Sequence, residues 1–428
     1  MTRPWWLPRP LGRIPDVEPQ LLTLLGLVSL ALFFESYDLS MLTSALKHIA
    51  DDLGMAEQDL GRYLGTIRLG ALPALAVVPL ADRLGRRWLF LGSLIGVSVT
   101  TVATAFAHDP LSFVACQMVT RVFMVTGTAV AIVIVTEEFP AAHRGWAIGI
   151  MGAIAASGHG LGALLFSQIE RLPAGWRTLY LLGALPLVMF PQFFRGVPET
   201  RRFTRSRRES RADGDGESGR WLGPLAALAR AYPGRATVLT SAVFLVAVGD
   251  VSVFQFTSYY AQTVHGWSPG QYATMFVVAG AVGVVGNLIA GRLSDRIGRR
   301  AVGVAALAAF PVTAWCFYTG PAWVMPIAFA AFVFCQTAGV TILRALSSEL
   351  FPTSHRGTAA AWAMLVQTVG WASGLWLVGI GTRAGAPIAS VTTRLAAAVL
   401  AGGLLLLALP ETGRRELEAI SDDARGTR

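Results

Sequence analysis

Among the ionisable side chains inside long apolar stretches of the sequence, where a charge is costly, six are the most informative. They are Glu35, Asp38, Arg68, Arg121, His159 and Asp250. An ionisable group at the centre of a bilayer costs roughly 3 kcal/mol or more, so each is expected to have a partner and a function. An acid beside a cation can release and rebind a proton as the pair forms and breaks. The predicted chemistry is therefore reversible proton binding rather than bond cleavage.

The predicted proton-coupling set contains three acids and two cations. Its members are Asp38, Arg121, Arg68, Glu35 and Asp250. Asp38 lies near the middle of the first apolar run, and either Arg121 in the fourth run or Arg68 in the second could pair with it. A permanent structural ion pair is the alternative, since buried pairs also serve folding specificity. His159, flanked by two glycines, could titrate in a pore or pack as a hydrogen-bonded histidine.

A charged motif between the second and third apolar runs recurs in the second half of the chain. It occupies residues 80–87 and again residues 293–300, a displacement of 213 residues. A shift of 212 carries three further features onto counterparts, namely Asp38 onto Asp250, Glu137 onto Glu349 and Pro198 onto Pro410. Several motifs at one offset indicate a tandem duplication.

Twelve apolar runs are long enough to cross a bilayer, six in each half. They are predicted at 21–46, 60–80, 88–107, 112–136, 145–168, 177–196, 236–262, 270–291, 301–319, 321–347, 357–381 and 388–409. The predicted fold is all-α, with twelve transmembrane helices in two pseudo-symmetric six-helix bundles. The predicted domains are a bundle at 1–200, a linker at 201–235, a bundle at 236–410 and a tail at 411–428.

The composition agrees with a membrane protein and excludes several other classes. Of the 428 residues 54% are hydrophobic and 14% charged, which the surface of a water-soluble fold would not tolerate. The net charge of +9 sits in short arginine-rich segments between apolar runs, so nucleic-acid binding is not expected. Cys116, Cys316 and Cys335 are odd in number and lie in apolar runs, which predicts neither a disulfide framework nor a metal site. No catalytic residue set, cofactor motif or phosphate-binding loop is present, so an enzyme is not predicted.

Arginine-rich loops alternate with arginine-poor loops, and this alternation predicts the orientation. The positive-inside rule places the arginine-rich loops, the middle segment and both termini in the cytoplasm, with the protein in the cell membrane. The first apolar run has no cleavage site and is predicted to be a retained span. Residues 201–220 have little to bury and are predicted to form a flexible linker. Residues 221–235 fit either a helix lying on the inner leaflet or an extension of the seventh span.

With these motifs the sequence resembles the major facilitator superfamily from the first span to Glu411. Asp-Arg-x-Gly-Arg-Arg between spans two and three, repeated between eight and nine, is that family's most recognisable signature. The Glu-x-Phe-Pro-x-x-His-Arg-Gly and Pro-Glu-Thr motifs resemble the sugar-porter and metabolite:proton symporter branches. The resemblance implies that an acid of span one pairs with an arginine of span four, which are Asp38 and Arg121 here. Relatives tend to hold this arginine one turn earlier, where this chain has Gln117.

The loop charges are predicted to form a cytoplasmic gate. Arginine–carboxylate pairs form only where helix ends converge, so they can hold one state closed and break in the other. The predicted members are Asp82, Arg86, Arg87, Glu137, Arg144, Glu199, Asp295, Arg299, Arg300, Glu349, Arg356 and Glu411. The alternative is that these arginines only orient the protein and bind anionic membrane lipid.

Polar and aromatic side chains on the inner spans are the candidate substrate contacts. They are Tyr37, Gln117, His159, Gln168, Gln255, Tyr259, Asn287, Gln336, Gln367 and Trp371. Each could equally bond one helix to another. We therefore expect a secondary transporter, functional as a monomer, that alternates access to a site near the bilayer midplane and uses the proton gradient.

The chemical class of the substrate stays open at this stage. Symport of a small organic anion is favoured because Arg68 and Arg121 could anchor a carboxylate. If the intramembrane acids neutralise both arginines, a sugar or polyol would fit instead. In a proton-antiport exporter of cations or drugs the same acids would bind the substrate. A transporter-like sensor is the third alternative, with the short basic linker or tail as its signalling arm.

Overall fold

The computed structural model describes residues 15–205, 230–351 and 356–412, apart from the side chains of Ser348 and Arg356. Within those residues the chain is helical and contains no strand. Twelve segments are long and apolar enough to cross a membrane, which confirms the predicted all-α fold and the number of spans. The predicted interfacial helix lies largely outside the described residues, as do most of the linker and the tail from residue 413.

The first six spans contain both continuous and broken helices. Span one is α1 (Pro19–Ser44), followed by the short α2 (Leu46–Asp52). Span two is divided into α3 (Glu57–Leu69), α4 (Ala74–Val77) and α5 (Ala81–Leu84). Spans three to five are α6 (Arg86–Ala105), α7 (Pro110–Glu138) and α8 (Arg144–Phe166). Span six is divided into α9 (Trp176–Leu181), α10 (Leu185–Val188) and α11 (Phe190–Gly196).

The second six spans are mostly continuous. Span seven comprises α12 (Pro233–Gln255) and α13 (Thr257–Val264). The remaining spans are α14 (Pro269–Ile297), α15 (Arg299–Thr319), α16 (Met325–Glu349), α17 (Arg356–Arg383) and α18 (Ile388–Leu405).

Proline and glycine account for the helix breaks that flank the first charged motif. Pro73 and Pro79 lie in span two, and a proline has no backbone N–H and clashes with the preceding helical turn. The chain then turns at Gly85, whose φ of 103° suits glycine, and α6 begins at the next residue. Gly298 has a φ of 108° between α14 and α15, so the duplicated motif repeats the same turn.

Two helices begin with a reciprocal cap that their sequences supply. The Asp109 carboxylate accepts hydrogen bonds from the backbone N–H groups of Leu111 and Ser112, at the start of α7. The Ser268 hydroxyl accepts one from the N–H of Gln271 at the start of α14. Such caps satisfy N–H groups that the first helical turn leaves without a partner.

The contacts divide the chain into two compact units. Among the described residues, one unit contains residues 15–49 and 70–205, and the other contains residues 50–69, 230–351 and 356–412. In the first unit α1 packs against α8, and α6 packs against α7. In the second unit α14 packs against α16, and α12 packs against α18. Helix α3 makes its contacts in the second unit, against α17, although the sequence predicted it as part of the first bundle.

Candidate functional site

A buried group in the first unit, here called the N-terminal polar cluster, comprises Glu35, Asp38, Thr101, Arg121 and Thr128. The Glu35 carboxylate accepts a hydrogen bond of 2.6 Å from the Thr128 hydroxyl, and the Asp38 carboxylate accepts one of 3.1 Å from the Thr101 hydroxyl. Arg121 lies within electrostatic range of Asp38, but within the described ranges the two form no direct ion pair. Glu35 is 8% exposed, Asp38 is 3% exposed and Arg121 is 7% exposed. Both acids of span one therefore have threonine hydroxyls as direct partners, while Arg121 acts on Asp38 at longer range.

Two predicted substrate contacts of this unit hold its helices together. The Tyr37 hydroxyl donates to the backbone carbonyl of Leu179 at 2.8 Å and so ties α1 to α9. The Gln117 side-chain amide donates to the Thr104 hydroxyl at 3.3 Å and so ties α7 to α6. Both residues are almost fully buried, as interhelical hydrogen-bonding groups in a membrane bundle tend to be.

The second unit contains a corresponding group, here called the C-terminal polar cluster, formed by Arg68, Asp250, Gln255, Gln336 and Trp371. The Trp371 indole N–H donates to the Asp250 carboxylate at 3.1 Å, and the Gln336 side chain lies close to that carboxylate. The Arg68 guanidinium donates to the Gln255 side-chain oxygen at 3.0 Å and lies 5.2 Å from the centre of the Trp371 ring. A cation at that distance is attracted by the face of the indole. The structure thus brings together five predicted residues from four different spans.

Arg68 reaches this cluster because α3 packs closely on α17. A Cβ built on Gly61 would lie 2.4 Å from the backbone nitrogen of Gly379, a separation that only glycine permits. An ion pair between Asp59 and Arg383 joins the same two helices two residues earlier on α3. Arg68 lies in the last turn of α3, so the α3–α17 contact holds its guanidinium beside Trp371.

Three other predicted substrate contacts lie outside both clusters. Gln168 is exposed just after α8. Tyr259 is half-buried and donates to the Glu57 carboxylate at 3.2 Å. Asn287 lies on an exposed face of α14 and accepts a hydrogen bond of 2.6 Å from Thr341 of α16.

The two remaining candidates are half-buried and have no side-chain hydrogen bond within the described part of the chain. They are His159 on α8 and Gln367 on α17. The backbone carbonyl of His159 accepts a hydrogen bond of 3.0 Å from Ser40, which ties α8 to α1.

Arg86 is the centre of the N-terminal charge network, which we define as Asp82, Arg86, Arg87, Glu137 and Glu199. The Arg86 guanidinium pairs with Asp82 at 2.9 Å and with Glu137 at 3.2 Å. The Glu199 carboxylate accepts hydrogen bonds from the backbone N–H groups of Arg86 at 2.9 Å and Arg87 at 3.3 Å. These N–H groups begin α6, where a negative charge also interacts favourably with the helix dipole. The network therefore joins the ends of spans two, three, four and six.

The second half repeats these contacts in the C-terminal charge network, formed by Asp295, Arg299, Arg300, Glu349 and Glu411. Arg299 pairs with Asp295 at 3.1 Å and with Glu349 at 3.0 Å. The Glu411 carboxylate accepts hydrogen bonds from the N–H groups of Arg299 at 2.7 Å and Arg300 at 3.1 Å. Within the two networks, Arg299, Glu349 and Glu411 thus have the same types of partner as their duplicates Arg86, Glu137 and Glu199.

One predicted gate arginine, Arg144, makes no arginine–carboxylate pair within the described residues. The Arg144 guanidinium donates to the backbone carbonyl of Phe139 at 3.0 Å and so holds the turn before α8. The side chain of its duplicate, Arg356, is outside the structural description, as are residues 352–355 of the second loop motif.

The sequence reasoning overlooked the hydroxyl groups that bond the acids. They are Thr101, Thr128, Thr200 and Thr412. The last two donate to the network glutamates of α7 and α16 at 2.7 and 2.6 Å. The sequence did distinguish Thr200 and Thr412, because each is the last residue of a Pro-Glu-Thr motif that recurs at the repeat offset of 212. Thr101 and Thr128 lie in apolar runs rich in threonine, where no local pattern distinguishes them.

Chemically, the two polar clusters can bind and release protons and can attract an anion. Within the described residues, no group of three or more histidine, cysteine, aspartate or glutamate side chains is arranged to hold a metal ion. The carboxylates instead lie beside guanidinium, indole and hydroxyl donors.

Comparison with known proteins finds similarity to membrane transporters along nearly the whole chain. A sequence profile described as the Major Facilitator Superfamily matches residues 28–375 and 239–422. A gallate transporter of Pseudomonas putida is 24% identical, covering 93% of this chain and 94% of the relative. A 3-(3-hydroxy-phenyl)propionate transporter of Escherichia coli is 25% identical, and the match covers 91% of this chain and 94% of the relative. The inward-open structure of the xylose transporter XylE from E. coli has a TM-score of 0.74 at 16% identity, covering 94% and 99%.

The profile covers both halves of the duplication, and the solved structure shares the fold. The twelve candidate membrane spans and the tandem duplication agree with a transporter fold built from repeats. The chain therefore belongs to the Major Facilitator Superfamily and is a multi-pass membrane transporter, not an enzyme.

Proposed function

We propose that this protein is a proton-coupled symporter that carries a small organic anion, specifically an aromatic carboxylate, by alternating access. The observation that carries the proposal is the C-terminal polar cluster. There the half-buried Arg68 offers a guanidinium and Trp371 offers an aromatic face, 5.2 Å apart, beside the buried acid Asp250. A guanidinium binds a carboxylate through paired charge-assisted hydrogen bonds, and an indole face packs against an aromatic ring.

The same cluster supplies a reason for proton coupling. Arg68 lies within electrostatic range of Asp250, so a substrate carboxylate competes with this acid for the guanidinium. Protonation of Asp250 removes that competition and favours binding of the anion. Loss of the proton reverses it, and binding of proton and anion are thereby linked in a positive sense.

The N-terminal polar cluster supports the proposal independently. Asp38 stands in the span-one position that the family resemblance assigns to proton coupling, Arg121 stands one helical turn after the span-four position, and both are buried. Their electrostatic interaction at longer range leaves room for a third charge to alter it. We assign Asp38 as the principal proton-binding group and Arg121 as the cation that responds to it.

Two relatives support the substrate class. They are named as transporters of gallate and of 3-(3-hydroxy-phenyl)propionate, both of which are aromatic carboxylates. We carry this class to the present chain because Arg68 and Trp371 provide the two interactions that such a molecule needs. The charge networks are proposed to stiffen the helix ends and to break and reform as the transporter changes state, with their loops in the cytoplasm.

The test is uptake by the purified full-length protein in proteoliposomes that contain a pH-sensitive dye. The solutes are gallate, 4-hydroxybenzoate, arabinose and tetraphenylphosphonium, each added with and without an inward proton gradient. We expect gallate or 4-hydroxybenzoate to enter together with protons, and the other two to move no protons. Asp38→Asn should abolish proton-driven accumulation. Arg68→Gln should lower uptake roughly tenfold to a hundredfold, the value of a hydrogen bond between charged groups.

Arg195→Gln is the matched control, because Arg195 is an exposed arginine on α11 outside both polar clusters. It should transport as the unmodified protein does. If arabinose is the one solute that enters together with protons, the substrate is a sugar rather than an organic anion. Outward movement of tetraphenylphosphonium in exchange for protons, lost in Asp250→Asn, would establish an exporter instead. If Arg68→Gln leaves anion uptake unchanged, Arg68 does not belong to the binding site.

A further inference from the structure

A small cavity adjoins both acids of span one. Its lining includes Glu35 and Asp38 of α1 together with Ser98 and Thr101 of α6. The cavity leaves about 10 Å³ for the centre of a water molecule, which is enough for one water and for no organic substrate. Glu35 and Asp38 are three residues apart on one helix, so their side chains share a face.

One buried polar atom at this cavity, the Ser98 hydroxyl, lacks a hydrogen-bond partner within the described residues, and Ser98 is 1% exposed. Glu35 and Asp38, which also line the cavity, each have one carboxylate oxygen bonded to a threonine hydroxyl, Oε2 to Thr128 and Oδ1 to Thr101. A carboxylate accepts hydrogen bonds through two oxygens, so both acids keep the capacity to accept a bond from water. A buried water typically makes two to four hydrogen bonds to such groups.

We propose that this cavity binds one water molecule, held by Ser98, through which Glu35 and Asp38 share a single transported proton. The inference rests on the proposed proton-coupled function for its role in transport, and on the cavity, its two lining acids and the unpartnered Ser98 hydroxyl for its location. It goes further in making the coupling site a pair of acids that hold one proton, rather than Asp38 alone.

The surrounding charges favour one proton at this site. Arg121 is the cation within electrostatic range of Asp38, and the hydroxyls of Tyr37 and Tyr180 also lie near that acid. With both acids ionised and Arg121 charged, the cluster carries one net negative charge in a buried setting. One bound proton makes it neutral, and a second would make it positive. Uncompensated buried charge is costly in either direction, so the singly protonated state is preferred.

The water provides a path for that proton without separating charge. Protonated Glu35 donates its proton to the water oxygen while the water donates one of its own protons to the Asp38 carboxylate. One O–H bond breaks and one forms at the water, which ends unchanged, and the acids exchange roles. The proton can then reside near Arg121 or one turn away from it, depending on where an anion binds.

The first test counts protons and needs no substrate. The purified protein is titrated from alkaline to mildly acidic pH with a pH dye, and its proton uptake is compared with that of a Glu35→Gln/Asp38→Asn double variant. We expect the double variant to take up one proton fewer per chain. A difference of two would mean that the acids titrate independently, and a difference of zero would mean that neither titrates. Both of these results overturn the proposal.

The second test removes the water from the cavity. Ser98→Val fills the space with methyl groups, and Ser98→Ala removes only the hydroxyl. We expect each to lower proton-driven uptake of 4-hydroxybenzoate roughly tenfold, as for loss of a buried hydrogen bond to a charged group. Exchange of labelled for unlabelled 4-hydroxybenzoate, which needs no net proton release, should be kept.

Ser29→Ala is the matched control. Ser29 is also fully buried with a hydroxyl that has no partner among the described residues, but it lies outside the cavity. If Ser98→Val shows the same proton-driven uptake as Ser29→Ala, the water-bridged path is overturned. If the unmodified protein carries no carboxylate, the proposed function fails, whereas the proton count still decides whether the two acids share one proton.

Discussion

A methyl group added at Gly61 should disrupt the packing of α3 on α17. A Cβ at this position would lie 2.4 Å from the backbone nitrogen of Gly379, 2.5 Å from the carbonyl oxygen of Leu375 and 2.8 Å from the Cα of Gly379. Ordinary contacts of a Cβ begin near 3.4 Å, so the two helices must separate by about 1 Å (3.4 − 2.4). All three neighbours are backbone atoms, which cannot turn aside as a side chain can.

The expected cost is a balance of two opposing effects. Alanine favours a helix over glycine by about 0.5–1 kcal/mol, which would stabilise the variant. Overpacking of a close contact costs about 1–3 kcal/mol, occasionally more. The steric term should dominate because three backbone contacts are violated together. We therefore expect Gly61→Ala to lower the free energy of unfolding by about 1–2 kcal/mol.

The assay is thermal unfolding of the purified protein in detergent, followed by the fluorescence of a thiol-reactive dye or by loss of the monodisperse peak. Gly280→Ala is the matched control, because Gly280 is a helical glycine of α14 with no atom within 4 Å of its built Cβ. We expect this control to melt at or slightly above the temperature of the unmodified protein, and Gly61→Ala to melt clearly below it.

The Gly61 variant also tests the position of Arg68. A shift of α3 would move the guanidinium away from the Trp371 ring, so uptake of an aromatic carboxylate should fall in parallel with stability. If Gly61→Ala melts and transports like Gly280→Ala, the close glycine contact does not hold α3, and the reasoning from backbone distances is refuted.

Two further predictions concern the ends of helices. Glu199→Ala removes the acceptor of two N–H groups at the start of α6 and should lower stability by about 1 kcal/mol, the usual value of a helix cap; an equal melting temperature for Glu199→Ala and the exposed control Glu170→Ala would contradict this. At the start of α7, hydrogen bonds from Ser112 and Leu111 hold the pKa of Asp109 below its ordinary value of 3.8. Because the folded pKa is depressed, the stabilisation is complete above pH 3.8 and is lost as the pH falls through the lower, folded value. The melting temperature of the unmodified protein should therefore approach that of Asp109→Asn only in strong acid, and a constant difference down to that pH would argue against the cap.

The duplication made the two charge networks predictable in composition. Each network acid and arginine stands at a fixed place in a motif, and the motifs recur at offsets of 212 and 213. The same motif at corresponding helix ends places corresponding atoms together. Glu199 and Glu411 therefore cap the helices that follow the two copies of the charged motif. Arg144 was the exception, because the nearby carbonyl of Phe139 takes up its guanidinium.

The partners inside the membrane were less predictable. Asp38 was expected beside an arginine, but its direct partner is the hydroxyl of Thr101 on α6. Arg68 was one of two possible partners for Asp38, and the structure places it with Trp371 and Gln255. These choices depend on how helices far apart in sequence rotate and pack, and the pattern of apolar residues carries little information about rotation when a helix is apolar on every side.

The amino-acid sequence by itself determined the twelve spans, the tandem repeat and the residue types available for proton binding. Length, hydropathy and motif spacing are local properties, and a bilayer imposes them on each span separately. Only the tertiary structure decided that α3 packs with the second unit, that Arg68 lies over Trp371, and that a water-sized cavity adjoins Glu35 and Asp38. Those features arise from close contacts such as that of Gly61 with Gly379, which are set by the shapes of two surfaces rather than by the sequence of either one.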